Sequence, residues 1–262
     1  MFEKITHIIQ ELRVKSQELR VKSTDAINRV CTSRGEDEKV NSPLSSPPPP
    51  IITYSALLSA GEAALEQWQK LWEQGYRTFK WKIGVDATSE LKIFELLMQS
   101  LPQDAKLRLD ANGGLSYDDA KLWLLTCDNI HLNNQYSVEI EFIEQPLAVD
   151  QFPAMLALSN YYKTCIALDE SVATLKQLAA CYEQGWRDIF VIKPGIIGSP
   201  SRLRQFCQNH KIDAVFSSVF ETQIGREAAL KLAVELSPHR AVGFGINHFF
   251  EPDEDNLQYL WK

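Results

Sequence analysis

The chain has 262 residues, of which 45% are hydrophobic and 23% are charged, and its formal net charge is −7 at pH 7. This length suits one large globular domain, and the composition is close to the globular average. The acidic balance argues against nucleic acid or an anionic membrane surface as the main partner. Every apolar run has the length of a strand, so we expect no membrane-spanning helix.

The cysteines and the amino terminus indicate a compartment. The five cysteines are an odd number and lack the paired spacing of a metal site. Disulfide frameworks belong to secreted domains, so we predict reduced thiols. The amino terminus also lacks the continuous apolar stretch of a secretory signal. Together these features predict a cytoplasmic protein.

Residues 1–50 are predicted to lie outside the folded domain. The heptad QELRVKS occurs at 10–16 and again, unchanged, at 17–23, which is too short a run for a coiled coil. The following stretch, TSRGEDEKVNSPLSSPPPP, is typical of a disordered or polyproline linker. We therefore predict a globular part over residues 51–250 and a short tail over residues 251–262.

Eight strand-like segments follow one another, and a helix-like stretch separates each from the next. The strands are predicted at 51–58, 78–84, 106–112, 140–146, 165–171, 188–194, 213–218 and 241–245. This alternation is typical of a parallel sheet built from βαβ units, and eight such units most economically close into a barrel. An open doubly wound sheet is the main alternative, but no GxGxxG follows the first strand.

Charged residues recur near the ends of these strands. The stretch TFKWKIG at 78–84 places Lys80 and Lys82 on one face of a strand and large apolar side chains on the other. A buried ammonium is costly without partners. The following strands supply ionisable residues near the same end: Arg108, Asp110, Glu144, Asp169 and Lys193. Catalytic residues of a parallel barrel lie at the carboxyl ends of its strands.

The three acids, Asp110, Glu144 and Asp169, are the ligands that a hard divalent cation requires. Mg²⁺ prefers oxygen ligands and keeps its remaining positions for water or substrate oxygens. Lys82 and Lys193 would flank this cation, and a partly desolvated lysine beside positive charge can act as a base near neutral pH. The sequence therefore predicts a magnesium site, with Mn²⁺ as an alternative metal.

The motifs KWK, RLDAN, EFIEQP, ALDES and VIKP, in this order, resemble the enolase superfamily in its muconate-lactonizing subgroup. The resemblance covers roughly residues 51–250. It implies a TIM-like (β/α)₇β barrel, topped in the family by an α+β capping domain. It also implies that Asp110, Glu144 and Asp169 bind magnesium and that Lys82 and Lys193 are the acid/base pair.

Further residues are implied to contact substrate or to support the site: Lys80, Arg108, Asn112, Ser217 and Ser218. For Lys80 two roles stay open, as a structural partner for an acid or as a restraint on Lys82. An isolated strand-end lysine is more often a solvated residue of the rim, and an isolated DAN or DES motif can be a turn or a helix cap. The functional interpretation therefore depends on the whole set.

The later segments FSSVFETQIG and GFG are similar to one branch of the superfamily. That branch dehydrates 2-succinyl-6-hydroxy-2,4-cyclohexadiene-1-carboxylate to o-succinylbenzoate in menaquinone and phylloquinone synthesis. The resemblance implies that Lys82 removes the proton α to a metal-bound carboxylate and then helps the hydroxyl to leave, while Lys193 holds its ammonium against the ring. The expected partner is a small-molecule carboxylate. A sister activity such as N-acylamino-acid racemization would use the same site.

One departure from the family pattern concerns the capping domain. Its place is taken by the repeat and linker of residues 1–50, and residues 251–262 would supply only a remnant. An active lyase and an inactive barrel fragment with inherited ligands are therefore both kept as hypotheses. An uncovered barrel mouth would expose apolar surface and favour oligomers, and free access of water would weaken the electrostatics of the site. We expect an intact metal site with low turnover.

Overall fold

The computed structural model describes residues 52–133 and 136–244. The predictions made for residues 1–50 and for the tail over residues 251–262, including those about the linker and the capping domain, lie outside these ranges. The described part contains the strands and helices on which the predicted barrel and its site depend.

Seven strands form one sheet, pair in chain order and run parallel. They are β1 Ser55–Leu57, β2 Thr78–Lys82, β3 Lys106–Asp110, β4 Glu139–Glu144, β5 Ile166–Leu168, β6 Ile189–Ile192 and β7 Ala214–Phe216. Each strand falls on a predicted segment, mostly as a shorter element. The order of the strands confirms the parallel α/β fold.

Helices follow each of these strands and cover the outside of the sheet. They are α1 Ala64–Glu73, α2 Ala87–Ser100, α3 Tyr117–Asn133, α4 Phe152–Tyr161, α5 Leu175–Glu183, the single turn α6 Pro194–Ile197, α7 Pro200–His210 and α8 Gln223–Leu236. At the starts of α2, α5 and α8, a side chain accepts hydrogen bonds from free backbone N–H groups. The Asp86 carboxylate, for example, accepts hydrogen bonds from the N–H groups of Thr88 and Ser89 before α2.

The segment 241–244 closes the sheet into a barrel. Val242 forms a parallel bridge to Tyr54 before β1, and Gly243 forms one to Ser217 after β7. A Cβ atom at Gly243 would lie 2.7 Å from Ser217 Oγ, so the close approach requires glycine. This segment is the eighth predicted strand, and it completes the (β/α)₇β pattern.

The outer face of β2 shows why this strand has its sequence. Phe79 and Trp81 are fully buried. The Phe79 ring stacks on Trp72 of α1 at 6.4 Å between centroids, and Trp81 meets Trp123 of α3 edge-on at 6.5 Å. Burial of such large apolar surfaces stabilises the sheet against its helices. The opposite face of β2 is thereby directed into the barrel.

A second apolar cluster fills the barrel interior beneath the predicted site. Its members are Phe142, Ala167, Ile189, Val191 and Val215. Three of these residues, Phe142, Ala167 and Val191, are each followed two positions later by a charged residue. The charged residues are Glu144, Asp169 and Lys193, respectively. Because side chains on a strand alternate with a period of two, these charged residues enter the same interior one layer nearer the carboxyl ends.

The described cysteines and helices test two predictions made from composition. Cys127, Cys181 and Cys207 are free, as predicted, and the structure shows that they are also buried. Cys165 is disulfide-bonded, so the prediction of a reduced thiol is wrong there. Among the helices of residues 52–133 and 136–244, none has the length and apolar character that crossing a bilayer requires.

Candidate functional site

Asp110 and Glu144 end neighbouring strands and lie opposite each other in the register of β3 and β4. Both are buried, with exposures of 3% and 2%. Lys80 reaches them from β2, where its Nζ lies 2.9 Å from Asp110 Oδ2 and 2.8 Å from Glu144 Oε1. Of the two roles left open for Lys80, the structure therefore shows that of a partner for the acids.

The ionisation of these groups is coupled through burial and mutual proximity. Burial, together with the nearby Asp110 and Asp169 carboxylates, outweighs the Lys80 ammonium and raises the pKa of Glu144 to about 8. Burial alone would lower the pKa of Lys80, but Glu144 and Asp110 raise it above its ordinary value. Lys80 therefore stays protonated, and a further cation would favour the ionised form of Glu144.

Asp169 and Lys193 form a second ion pair at the same end of the barrel. Asp169 directly follows β5 and is 4% exposed. Lys193 directly follows β6, and its Nζ lies 2.6 Å from Asp169 Oδ1 and 2.7 Å from Oδ2. The Lys193 side chain is 24% exposed, so the pair lies at the edge of the interior.

Lys82 occupies the last position of β2 and is exposed, so the expectation that this lysine is partly desolvated is wrong, because the strand ends at the open mouth of the barrel. It lies opposite Asp110 in the register of β2 and β3. It shares a strand face with Lys80 and lies one step nearer the barrel mouth. Along the sheet, Lys82 and Lys193 are on strands that flank the three acids, in the order that the sequence predicted.

The chemistry of the three acids fits magnesium, although their present arrangement does not form a ligand cluster. Within 52–133 and 136–244, no three Asp, Glu, His or Cys side chains are placed to hold a metal ion. The two lysines provide the physical reason, because Lys80 pairs with Asp110 and Glu144 whereas Lys193 pairs with Asp169. Three buried carboxylates on adjacent strands still offer the oxygen ligands that Mg²⁺ prefers. Their sharing of one cation stays a prediction.

Arg108 lies one layer below Asp110 and belongs to an ionic cluster near the amino ends of the strands. Its Nε donates a 2.5 Å hydrogen bond to Glu141 Oε2, and its guanidinium lies 5.1 Å from the centre of the Phe142 ring. Glu141 is the extra residue in a register shift between β3 and β4. Arg108 therefore supports the interior beneath the acids, and its Nε binds Glu141 rather than one of the three predicted ligands.

Arg240 extends this ionic cluster to the segment that closes the barrel. Its Nε and Nη2 lie 2.6 Å from the two carboxylate oxygens of Asp213 before β7. Its Nη1 lies 3.3 Å from Glu141 Oε1. Sequence reasoning missed this cluster, because its members are far apart in the chain.

The remaining predicted residues lie around the mouth in supporting contacts. The Asn112 backbone N–H donates to Asp110 Oδ1 at 3.1 Å, and its Nδ2 donates to Glu170 Oε1 at 3.0 Å. The hydroxyls of Ser217 and Ser218 donate to the Gly243 carbonyl at 3.2 and 3.1 Å. Contacts of these side chains with a substrate stay predictions.

Two residues of the quoted motifs received no role from the sequence. Gln145 of EFIEQP is fully buried, and its side chain joins the ends of β4 and β5. Glu170 of ALDES accepts the hydrogen bond from Asn112. The available signal was their place in the chain, since each directly follows a predicted metal ligand.

Comparison with known proteins agrees with this geometry. Residues 63–258 match the family model described as enolase C-terminal domain-like. The chain therefore belongs to this family, within the enolase superfamily.

It is 41% identical over 199 residues to the o-succinylbenzoate synthase of Thermosynechococcus vestitus (strain NIES-2133 / IAM M-273 / BP-1). The matched region covers 74% of this chain and 60% of that protein. The L-Ala-D/L-Glu epimerase of Bacillus subtilis (strain 168) is 26% identical over 185 residues, or 69% of this chain and 49% of the epimerase.

Solved structures show the same likeness. The o-succinylbenzoate synthase from Thermosynechococcus elongatus BP-1, complexed with magnesium in its active site, superposes with a TM-score of 0.69 and 40% identity. That comparison covers 75% of this chain and 61% of the synthase. The substrate-liganded Bacillus subtilis epimerase has a TM-score of 0.68 at 22% identity, covering 77% and 56% of the two chains, and shows the shared fold alone.

Proposed function

We propose that the chain is a magnesium-dependent lyase that dehydrates 2-succinyl-6-hydroxy-2,4-cyclohexadiene-1-carboxylate to o-succinylbenzoate. The observation that carries the proposal is the placement of three buried carboxylates between two lysines at the carboxyl ends of successive strands. The 41% identity to an o-succinylbenzoate synthase favours this reaction over those of more distant relatives.

The acids and the lysines have different roles in this proposal. Asp110, Glu144 and Asp169 would hold Mg²⁺, which when bound stabilises negative charge that develops on the substrate carboxylate. Mn²⁺ has the same preference for oxygen ligands and is the alternative metal. Lys80 neutralises Asp110 and Glu144 from one side.

Lys82 carries the proton in this proposal. Its neutral amine removes the proton α to the carboxylate, and the electrons of that C–H bond form the new ring double bond as the C–OH bond breaks. The Lys82 ammonium returns the proton to the departing hydroxyl, so the products are the aromatic acid and one water molecule. Lys193 places its ammonium against the ring, where a cation is attracted to the π electrons.

The proposed partner is accordingly a small-molecule carboxylate. The proposed pathway is menaquinone or phylloquinone synthesis, and the proposed location is the cytoplasm. N-acylamino-acid racemization is the second candidate, because the N-succinyl-L-Arg/Lys racemase of Bacillus cereus is 23% identical over 211 residues. Both reactions begin by removing a proton α to a carboxylate, so the same two lysines serve either one. Self-association and slow turnover remain proposals for the 262-residue chain.

The test is to supply the purified chain with Mg²⁺ and, separately, with the cyclohexadiene carboxylate and with N-succinylamino acids in D₂O. We expect the absorbance of the aromatic product with the first substrate and its loss when Mg²⁺ is chelated. Deuterium incorporation into the amino acids without any dehydration would support the racemase instead. If neither reaction is detected even at high protein concentration, the inactive-fragment hypothesis is supported.

A further inference from the structure

Gln145 connects two of the three predicted metal ligands through its buried side chain. It directly follows Glu144 and is fully buried. Its Oε1 accepts hydrogen bonds from the backbone N–H groups of Asp169 at 3.0 Å and Ser171 at 3.2 Å. Its Nε2 donates to Ser171 Oγ at 2.8 Å and to the Leu147 carbonyl at 3.0 Å. Both ends of the amide are therefore satisfied.

The backbone of Gln145 also contacts the loop that follows Asp110, the third predicted metal ligand. Its carbonyl accepts a 2.7 Å hydrogen bond from Gly113, in the loop that follows Asp110. Its own N–H donates to the Ala167 carbonyl at 2.7 Å. The residue has a φ of +39°, a conformation that a non-glycine residue adopts only where its surroundings hold it. Gln145 thus contacts the segments that carry all three acids.

Asp169 depends on this side chain for its position. Strand β5 ends at Leu168, so the Asp169 N–H finds its acceptor in Gln145 Oε1. A buried backbone N–H without an acceptor is costly. Loss of the amide oxygen would leave two such groups and release the turn that begins at Asp169.

We propose that Gln145 is a positioning residue that sets the magnesium affinity of the site by fixing Asp169 relative to Glu144. The inference rests on the proposed function, since it requires these acids to bind the metal. The Gln145 amide hydrogen-bonds to backbone groups and to Ser171, so in this proposal it acts on the metal only through Asp169. Removing groups that orient metal ligands typically weakens metal binding about tenfold to a hundredfold.

The experiment compares two variants. Gln145→Met removes a contact at the carboxyl end of β5, and the control removes one at the amino end of β5. The Asp128 carboxylate accepts hydrogen bonds from the backbone N–H groups of Lys163 and Thr164 just before β5. Asp128→Asn should therefore weaken the anchoring of β5 without touching the mouth. Magnesium affinity is measured by calorimetry and stability by urea unfolding, on the full chain.

We expect Gln145→Met to bind Mg²⁺ at least about tenfold more weakly and Asp128→Asn to bind it as the wild type does, although both lose stability. Ser171→Ala, a milder change that removes one acceptor of the Gln145 amide, should weaken binding by a smaller factor. Unchanged affinity in both Gln145→Met and Ser171→Ala would overturn the inference, as would an equal weakening in Asp128→Asn. Absence of Mg²⁺ binding to the wild type would instead refute the proposed function, and the inference with it.

Discussion

Lys80 and Glu144 form a partly buried ion pair in which Nζ lies 2.8 Å from Oε1. The same ammonium lies 2.9 Å from Asp110, so one lysine neutralises two of the acids that we assign to magnesium. A divalent cation must compete with this ammonium for both carboxylates. The pair therefore links the stability of the metal-free protein to the affinity of the site.

Replacing Lys80 by methionine separates these two effects. Lys80→Met should bind Mg²⁺ more tightly than the wild type, because a competing positive charge is removed. The metal-free variant should unfold at lower urea concentration, because two buried acids lose their partner. Lys106→Met, which removes a lysine on β3 that pairs with exposed Glu139, should leave Mg²⁺ affinity unchanged. Weaker Mg²⁺ binding in Lys80→Met would contradict the competition.

Glu144 should make magnesium binding depend on pH. Its pKa is raised to about 8, so the folded protein holds this proton more tightly than the unfolded chain does. Metal-free stability attributable to Glu144 should therefore fall as the pH rises from about 4.5 to 8. Mg²⁺ must displace the proton, so its affinity should rise over the same range and binding should release protons.

Glu144→Gln tests this dependence by calorimetry at several pH values. The variant should bind Mg²⁺ more weakly than the wild type at pH 8, because a charged oxygen ligand is lost. Its affinity should also vary less with pH. Glu139→Gln, at the exposed start of the same strand, is the matched control and should behave as the wild type. An equal pH dependence in both variants would show that another group controls binding.

Acid should weaken the barrel through Glu141. Although burial opposes it, the Arg108 and Arg240 guanidinium groups hold the pKa of Glu141 below its usual value. The stabilisation is therefore present at neutral pH and lost as the pH falls through the range below the ordinary glutamate value. Glu141→Gln should lower the urea midpoint at pH 7 and flatten its decline toward pH 3. A decline as steep as that of the wild type would assign acid sensitivity to other carboxylates.

Lys193→Ala should reduce dehydration strongly while Mg²⁺ still binds. The ammonium that we place against the ring is lost, and Asp169 loses its partner at 2.6 Å while it stays available to the metal. Steady-state rates and Mg²⁺ calorimetry on the same preparation distinguish these consequences. Lys176→Ala, on the exposed side of α5, serves as the control. Full activity in Lys193→Ala would exclude this residue from the chemistry.

The sequence predicted the features that follow from local periodicity. Alternation in TFKWKIG placed Phe79 and Trp81 outside and Lys80 inside, and both placements are confirmed by burial and by the ion pairs. The order of strands followed from the recurrence of strand and helix patterns. Local periodicity also placed the acids at one end of the barrel, because each follows an apolar strand.

Contacts between distant segments were beyond such reasoning. Arg240 contacts Glu141 of β4 across 99 residues of the chain, and no local periodicity relates the two positions. The role of Gln145 depends on where β5 stops, and strand ends are set by tertiary hydrogen bonds as much as by composition. The disulfide at Cys165 likewise contradicted an expectation drawn from the number and spacing of the cysteines.

The central claim is that Lys82 performs proton transfer beside a magnesium-bound carboxylate. The most direct measurement is single-turnover conversion of the cyclohexadiene carboxylate, with protein and Mg²⁺ in excess over substrate, for the wild type and Lys82→Ala. This regime detects the chemical step even where repeated turnover is slow, and exposed Lys82 can be replaced with little effect on folding. The account predicts that the wild type forms o-succinylbenzoate and that Lys82→Ala forms it no faster than the uncatalysed background. Equal conversion by the two proteins would contradict it.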